Sequence, residues 1–210
     1  PASVAIIGAS NDPNKVGGRP LQFLRQAGYA GRIVPVNPNS AQIQGLPAWR
    51  SLAEACADGG PVEQAILAVP AADVLKTARD CIGQGVKALQ IFSAGFGDGT
   101  AGRAARESLA ADAKDAGVRV LGPNSLGLFD LSSRFFGTFA TALDGAWPQP
   151  GPISIATQSG AFGSYFFGMA QARGLGLRRF VATGNESDVQ VADCVSYFAE
   201  DEGTRVIVIA

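Results

Sequence analysis

The first strand–helix turn of the chain carries the residues best suited to chemistry. It reads Gly8-Ala9-Ser10-Asn11-Asp12-Pro13-Asn14-Lys15-Val16-Gly17-Gly18 and lies between a Val/Ile-rich run and an amphipathic stretch. Turns in that place bind phosphates in open α/β sheets, because free backbone N–H groups and the dipole of the following helix converge on them. Lys15 and Arg19 add positive charge. The dinucleotide fingerprint G-x-G-x-x-G is missing, and the second strand ends in Asn37-Pro38-Asn39-Ser40, where an NAD site offers a carboxylate to the ribose 2′-hydroxyl. A neutral strand end tolerates a phosphorylated ribose, which an Asp there would repel. From these residues alone two readings stand: a phosphate site, or a glycine-rich connection with surface cations.

What the sequence lacks narrows the chemistry. Its 210 residues include no histidine, which removes Ser–His–Asp and Cys–His nucleophilic catalysis, most zinc sites and any phosphohistidine from these residues. Cys56, Cys81 and Cys194 are far apart, without C-x-x-C spacing, and read as buried thiols rather than a metal or disulfide set. A formal net charge of −1 without a run of Lys or Arg gives no footprint for nucleic acid or an anionic membrane surface. No stretch approaches the roughly 18 apolar residues of a membrane span, and the chain opens directly on a strand rather than on a signal core. The expected location is the cytoplasm.

The elements that must position these residues alternate regularly. Residues 3–8, 32–36, 64–69, 86–92 and 118–121 are short runs rich in Val, Ile or Leu, with amphipathic segments at 21–27, 71–82 and 102–116 between them. Near-continuous apolar strands separated by helices mean a parallel sheet buried on both faces, so the predicted fold is α/β with a Rossmann-like first domain. Ser51-Leu52-Ala53-Glu54 has capping-box spacing and predicts a short helix after Arg50. Residues 135–152 are weak in periodic pattern and contain Gly145, Pro148, Pro150 and Gly151. The domain boundary is expected at 146–151, giving domains 1–146 and 152–210. Within the second, strands at 153–156, 178–182 and 205–209 alternate with helices at 160–173 and 191–199. A last strand at the end of the sequence lacks its covering helices, so this domain is expected to stop in mid-fold.

On such a sheet the strand ends form a row along one edge: Val69-Pro70, then Ser93-Ala94-Gly95-Phe96-Gly97, then Gly122-Pro123-Asn124-Ser125. Each alone is an ordinary turn. Together they would touch a long extended cofactor, since ligands of these folds lie across the carboxyl ends of the strands. Gln158-Ser159-Gly160 is not a serine-hydrolase elbow, because Thr157 stands where glycine is needed and no histidine is available as base. Asn185, Glu186 and Asp188 either bind a metal or orient substrate, or form a polar turn after a strand.

With these motifs in order, Val36-Asn37-Pro38, Gly127 and Gly184-Asn185-Glu186 included, nearly the whole chain resembles the ADP-forming acetyl-CoA and acyl-CoA synthetases, relatives of the succinyl-CoA synthetase α subunit. The resemblance implies a CoA-binding Rossmann-like domain followed by an incomplete flavodoxin-like ligase domain. It implies coenzyme A as cofactor, a carboxylic acid as substrate, ATP/ADP and Mg²⁺ in the full-length enzyme, an ATP-grasp domain or subunit as partner, and an oligomer. Gly8, Ser10, Lys15 and Gly17 would hold the CoA phosphates. Asn37, Pro38, Ser40, Val69 and Pro70 would hold the adenosine, and Ser93, Ala94, Gly95, Phe96, Pro123 and Asn124 the pantetheine arm. Ser159, Gly160 and Ala161 would open a helix whose N–H groups bind a phosphoryl group, with Ser159 as N-cap.

Two departures from the family pattern matter. The basic residue common just after Asn-Pro is replaced by Asn39 and Ser40. The phosphorylated histidine and its supporting glutamate are expected beyond residue 210, so no residue of this sequence is assigned as catalytic and none as a metal ligand. Two other readings remain: a CoA-sensing regulatory module of an acetyltransferase-type fusion, and a nucleotide-binding redox-sensing domain. The neutral end of the second strand and the ligase-like continuation count against the latter.

Overall fold

The computed structural model of the chain describes residues 1–97, 99–145 and 147–210, with the side chain of residue 101 also left aside. Residue 146, where the sequence reading ends the first domain, lies outside the described residues. The first half alternates as predicted: β1 (Ser3–Ile7), α1 (Arg19–Gln26), β2 (Arg32–Val36), the two short strands β3 (Gln42–Ile43) and β4 (Leu46–Pro47), α2 (Leu52–Gly59), β5 (Gln64–Leu67), a 3₁₀ turn (Ala71–Asp73), α3 (Val74–Gly83), β6 (Ala88–Ile91), α4 (Gly99–Asp115) and β7 (Arg119–Leu121). Five of these strands pair in parallel in the order β2-β1-β5-β6-β7. The winding direction therefore reverses between β1 and β5, which opens a crevice at their carboxyl ends.

Both faces of this sheet are apolar, which is why its strands read as unbroken runs. Ala5, Ala65, Leu67, Leu89 and Ile91 pack with Leu52, Val74, Ala78, Cys81 and Leu109 from α2, α3 and α4. Val4, Ile6 and Ile66 pack on the other face with Leu21 and Leu24 of α1. At the start of α2 the Ser51 hydroxyl accepts from the Glu54 N–H at 3.1 Å, while the Glu54 carboxylate reaches back to the Arg50 N–H at 2.8 Å, one residue earlier than a capping box requires.

The second sheet is mixed. After β8 (Gly127–Asp130), β9 (Phe135–Thr138) and a 3₁₀ turn (Thr141–Leu143) come β10 (Pro150–Thr157), α5 (Gly160–Ala172), β11 (Leu177–Ala182), α6 (Val191–Ala199) and β12 (Val206–Ile209). The order is β12-β10-β11-β8-β9, with β10, β11 and β12 parallel and the β8–β9 hairpin antiparallel on one side. The hairpin differs from the sequence reading, which took residues 135–152 as weakly patterned. Every residue of β9 is buried, so the strand shows no polar alternation. Phe135 enters the core beneath the first sheet, whereas Phe129 and Phe136 stack on one another and join Phe167 and Phe180 in the second core. Helix α1 is shared likewise, Leu21 and Leu24 facing the first sheet and Phe23 the second.

Polar contacts lock the same junction. The buried Gln90 amide donates to the Gly137 carbonyl and accepts from Gln64 at 3.1 Å. In the second sheet, Arg178 forks onto Asp201 at 2.5 and 2.9 Å, and Arg179 bridges Asp201 and Asp130. The hydrogen bond from Arg178 holds the Asp201 carboxyl well below the usual carboxylate range. Cys81 and Cys194 are buried, and burial pushes their thiols up to about 12 and about 11, whereas Cys56 is only half-buried, unlike the sequence reading. Among the described residues no helix is long and apolar enough to cross a membrane.

Candidate functional site

The 8–18 loop lies at the reversal between β1 and β5, and its glycines are there because backbone meets backbone. Gly8 has φ +85°, and a Cβ on it would stand 2.4 Å from the Ala68 carbonyl oxygen. A Cβ on Gly17 would stand 2.1 Å from the Gly8 carbonyl oxygen, and one on Gly18 1.9 Å from that of Asp12. The loop is thus folded against itself and the end of β5. Its amides are not all free. Those of Gly8 and Ala9 donate to the Val36 carbonyl at 3.0 and 3.2 Å, and that of Ser10 to Gly17 at 3.3 Å. The N–H groups of Asn11, Val16 and Gly17 make no hydrogen bond among the described residues. They are the donors left for an anion.

The side chains divide in the same way. Ser10 accepts from the Asp12 N–H at 3.1 Å and keeps its hydroxyl proton to donate. Lys15 is exposed and without an ion pair among the described residues. Arg19, counted from sequence as loop charge, is instead buried: it holds Asp144 at 2.5 Å and the Asn14 carbonyl at 3.4 Å. Its charge joins the loop to the second half of the chain.

Asn37 donates to the Ala9 carbonyl at 2.8 Å and accepts from the Asn39 N–H at 2.9 Å, so its amide fixes the end of β2 against the loop. A cleft of about 590 Å³ opens at the reversal point, with Gly8, Pro38, Val69 and Arg50 on its walls. An adjoining groove runs past Pro38, Asn39 and Ser40. Beyond Val69, Pro70 precedes the 3₁₀ turn that opens α3. The Ser93 hydroxyl donates to the Val69 carbonyl at 2.6 Å, and the Asn124 N–H to the Ser93 carbonyl at 3.0 Å. Ala94 and Gly95 are exposed between them, whereas the Phe96 ring packs in the core, leaving only its backbone to line the edge.

The row then crosses to the second sheet. The Asn185 N–H donates to the Pro123 carbonyl at 2.9 Å, and the Asn124 amide to that of Asn185 at 3.4 Å. Asn124 shares a polar cleft of about 630 Å³ with Ser159, Gly160, Ala161, Asn185 and Arg106. Ser159 caps α5 as predicted, accepting from the Phe162 N–H at 3.4 Å. Glu186 and Asp188 serve the fold. Glu186 accepts from Thr183 and from the Val191 N–H, both at 2.9 Å; Asp188 accepts from the Val120 N–H and from Arg119, both at 2.8 Å. Among the described residues no cluster of three His, Cys, Asp or Glu could hold a metal ion.

Sequence reasoning missed Gln44, Arg50 and Arg106. Gln44 sits at φ +48° in the β3–β4 turn with Gly45 at +80°, and its amide donates to the carbonyls of Ser10 and Gly18, both at 3.0 Å. An X-Gly pair between short apolar runs was the available signal. Arg50 is the first cation after β2. Arg106 lies on a helix far from the cleft in sequence, and only the assembled fold shows it there.

Comparison with known proteins agrees with the motif series. Residues 2–129 match the CoA binding domain and residues 150–210 the succinyl-CoA ligase-like flavodoxin domain. The α subunit of the ADP-forming acetate–CoA ligase I of Pyrococcus furiosus is 35% identical over 214 residues, which cover 100% of this chain and 45% of that protein. A trans-feruloyl-CoA synthase from an unknown prokaryotic organism is 36% identical over 210 residues, 99% of this chain and 29% of that protein. Among solved structures, acetyl-coenzyme A synthetase 1 of Ca. Korarchaeum cryptofilum, in complex with phosphate and ADP, has a TM-score of 0.89 at 30% identity, covering 100% of this chain and 43% of that one. The chain spans less than half the length of these relatives. It belongs to the CoA-binding domain family, continued in the same polypeptide by a succinyl-CoA ligase-like flavodoxin domain.

Proposed function

We propose that the chain is the CoA-binding portion of an NDP-forming acyl-CoA synthetase, which joins a carboxylic acid to CoA while ATP becomes ADP and phosphate. The observation that carries this reading is the continuous run of hydrogen-bonded strand ends, from the reversal-point cleft through Ser93 and Asn124 to the polar cleft at the start of α5. A long cofactor can lie along that run with its phosphates at the 8–18 loop and its thiol end toward α5. The free N–H groups of Val16 and Gly17, the Ser10 hydroxyl and Lys15 suit the phosphates. Gly8 and Gly17 let the backbone close up there. Asn37, Pro38, Ser40, Val69 and Pro70 would border the adenosine, and Ser93, Ala94, Gly95, Pro123, Asn124 and the Phe96 backbone the pantetheine arm. Bound CoA supplies the thiol that receives the acyl group.

The start of α5 suits a phosphoryl group, because Ser159, Gly160 and Ala161 border a polar cleft and the helix dipole favours an anion. We assign residues 1–146 to CoA binding and 152–210 to the ligase-type domain, with the β8–β9 hairpin lent by the first to the sheet of the second. ATP or ADP with Mg²⁺, an ATP-grasp domain or subunit, an oligomeric assembly and a cytoplasmic location belong to the same proposal. The chain has no imidazole to relay a phosphoryl group. Calorimetric titration with CoA and with NAD tests the reading: CoA is expected to bind and NAD not, and tighter binding of NAD would overturn it. With acid, CoA, ATP and Mg²⁺, the chain alone is expected to form no thioester; turnover would refute the need for a histidine from elsewhere.

A further inference from the structure

We propose that Arg50 selects a phosphorylated ribose, so that the chain distinguishes CoA from its 3′-dephospho form. The inference rests on the CoA reading above and adds to it the side chain that recognises the ribose phosphate. The end of β2 offers no charge of its own. Asn37 is committed on both sides of its amide, to the Ala9 carbonyl and the Asn39 N–H, and Pro38, Asn39 and Ser40 are neutral.

The main chain brings a cation to that neutral end from elsewhere. Trp49 forms a parallel bridge with Val36, its N–H donating to the Pro35 carbonyl at 3.1 Å and its carbonyl accepting from the Asn37 N–H at 2.9 Å. The next residue, Arg50, is therefore held beside the terminus of β2, and the Ser51 cap of α2 follows at once. Arg50 lines both the reversal-point cleft, with Gly8, Pro38 and Val69, and the adjoining groove, with Asn39 and Ser40.

Its guanidinium is exposed and makes no ion pair among the described residues. Glu54, which shares the groove, accepts from the main-chain N–H of Arg50 at 2.8 Å rather than from the side chain. Lys76 and Arg79, on the reversal-point cleft, are paired with Asp80 at 3.6 Å and with Asp112 at 2.7 Å. Arg50 is thus the cation available where β2 ends. A guanidinium presents a planar fork of donors matched to phosphate oxygens, and an Arg near the second strand is how nucleotide sheets of this kind accommodate a phosphate on the ribose.

Titrating wild type, Arg50→Gln and Arg50→Lys with CoA and with dephospho-CoA tests the assignment. Wild type is expected to hold CoA about tenfold more tightly than dephospho-CoA, the size of one exposed charge-assisted contact. Arg50→Gln should erase that preference while leaving the dephospho-CoA affinity unchanged, which also reports an intact site. Arg50→Lys should restore part of it. A preference that survives Arg50→Gln, an equal loss for both ligands in both variants, or a wild type without preference would overturn the role of Arg50 and leave CoA binding standing. Failure of wild type to bind either ligand would overturn the CoA reading and this inference with it.

Discussion

The two clefts joined by the strand-end row share a steric device and differ in what is added to it. At the reversal between β1 and β5, Gly8, Gly17 and Gly18 each press backbone against backbone, and Arg50, Lys76 and Arg79 bring positive charge to the cleft walls. At the start of α5 the walls are polar side chains from four separate stretches, among them Arg106, Asn124, Gln158 and Asn185. Of its two glycines, Gly160 approaches a side chain, with a Cβ there only 2.8 Å from the Leu126 Cβ, whereas Gly184, at φ +66°, meets the Pro123 carbonyl oxygen at 2.4 Å. The loop beside the first cleft is therefore fixed sterically, by glycines with no substitute. The second depends on the whole fold to assemble groups that each have alternatives.

The sharpest break in that comparison is Gly8→Ala against Gly160→Ala. Gly8 combines φ +85° with a carbonyl oxygen 2.4 Å from the new methyl, so neither torsion nor neighbour can yield. Strain and overpacking together should cost about 3 kcal/mol and abolish CoA binding. At Gly160 the torsion is ordinary, but the nearest atom is the Leu126 Cβ, which moves only with its backbone, so the loss should be smaller though still about 2 kcal/mol. Urea denaturation of both variants checks this. Equal losses would mean that the reversal-point glycines are no more constrained than the helical one.

Next in size is Asp201→Asn, which tests whether the second sheet depends on its ion pairs. Asp201, 14% exposed, accepts from Arg178, Arg179, Thr204 and the Gly203 N–H, and removing its charge leaves two guanidinium groups underpaired. The cost at neutral pH should be about 2 kcal/mol. Because the folded carboxyl is held below its ordinary value, its stabilisation is fully present above about pH 4, the unfolded value, and is lost as pH falls through the lower folded one. The gap between wild type and Asp201→Asn in melting temperature should narrow below about pH 4. A gap constant with pH would assign the effect to packing instead.

A smaller effect is expected at Lys15, where the 8–18 loop offers charge rather than shape. Lys15→Ala should weaken CoA about tenfold and leave the urea midpoint unchanged, since the exposed side chain contacts no partner that holds the fold. Unaltered CoA affinity would return Lys15 to the solvated surface.

How much of this was legible in the sequence follows the same division. The parallel sheet, the Gly8 turn and the Ser159 cap were readable because each is set by neighbours in sequence: an apolar run, a glycine that accepts φ above zero, a hydroxyl three residues before an amide. The β8–β9 hairpin was not, because Phe135 and Phe136 are buried toward two different cores and the alternation that marks a strand is absent. Arg19 misled for a related reason, since its partner Asp144 lies far along the chain. Motif order identified the family, but the ladder from Val69 to Asn185 exists only once both sheets are assembled.

The smallest predicted effect asks whether glycine sterics alone hold the 8–18 loop. Gln44 lies outside the loop, yet its amide donates to the Ser10 and Gly18 carbonyls at either end of it, both at 3.0 Å. Its own backbone is anchored on both sides, the N–H by Asn11 at 2.7 Å and the carbonyl by Arg25 at 2.5 Å. Gln44→Ala keeps that backbone and removes only the two donated bonds, for a loss of about 1 kcal/mol. Gln44→Glu at neutral pH replaces the donors with a carboxylate facing two carbonyl oxygens, and should cost more than the truncation. If the loop needs this clamp to keep its shape, CoA affinity should fall several-fold in Gln44→Ala and further in Gln44→Glu. Affinity unchanged in both variants, with the modest stability losses still present, would show that the three glycine contacts fix the loop unaided.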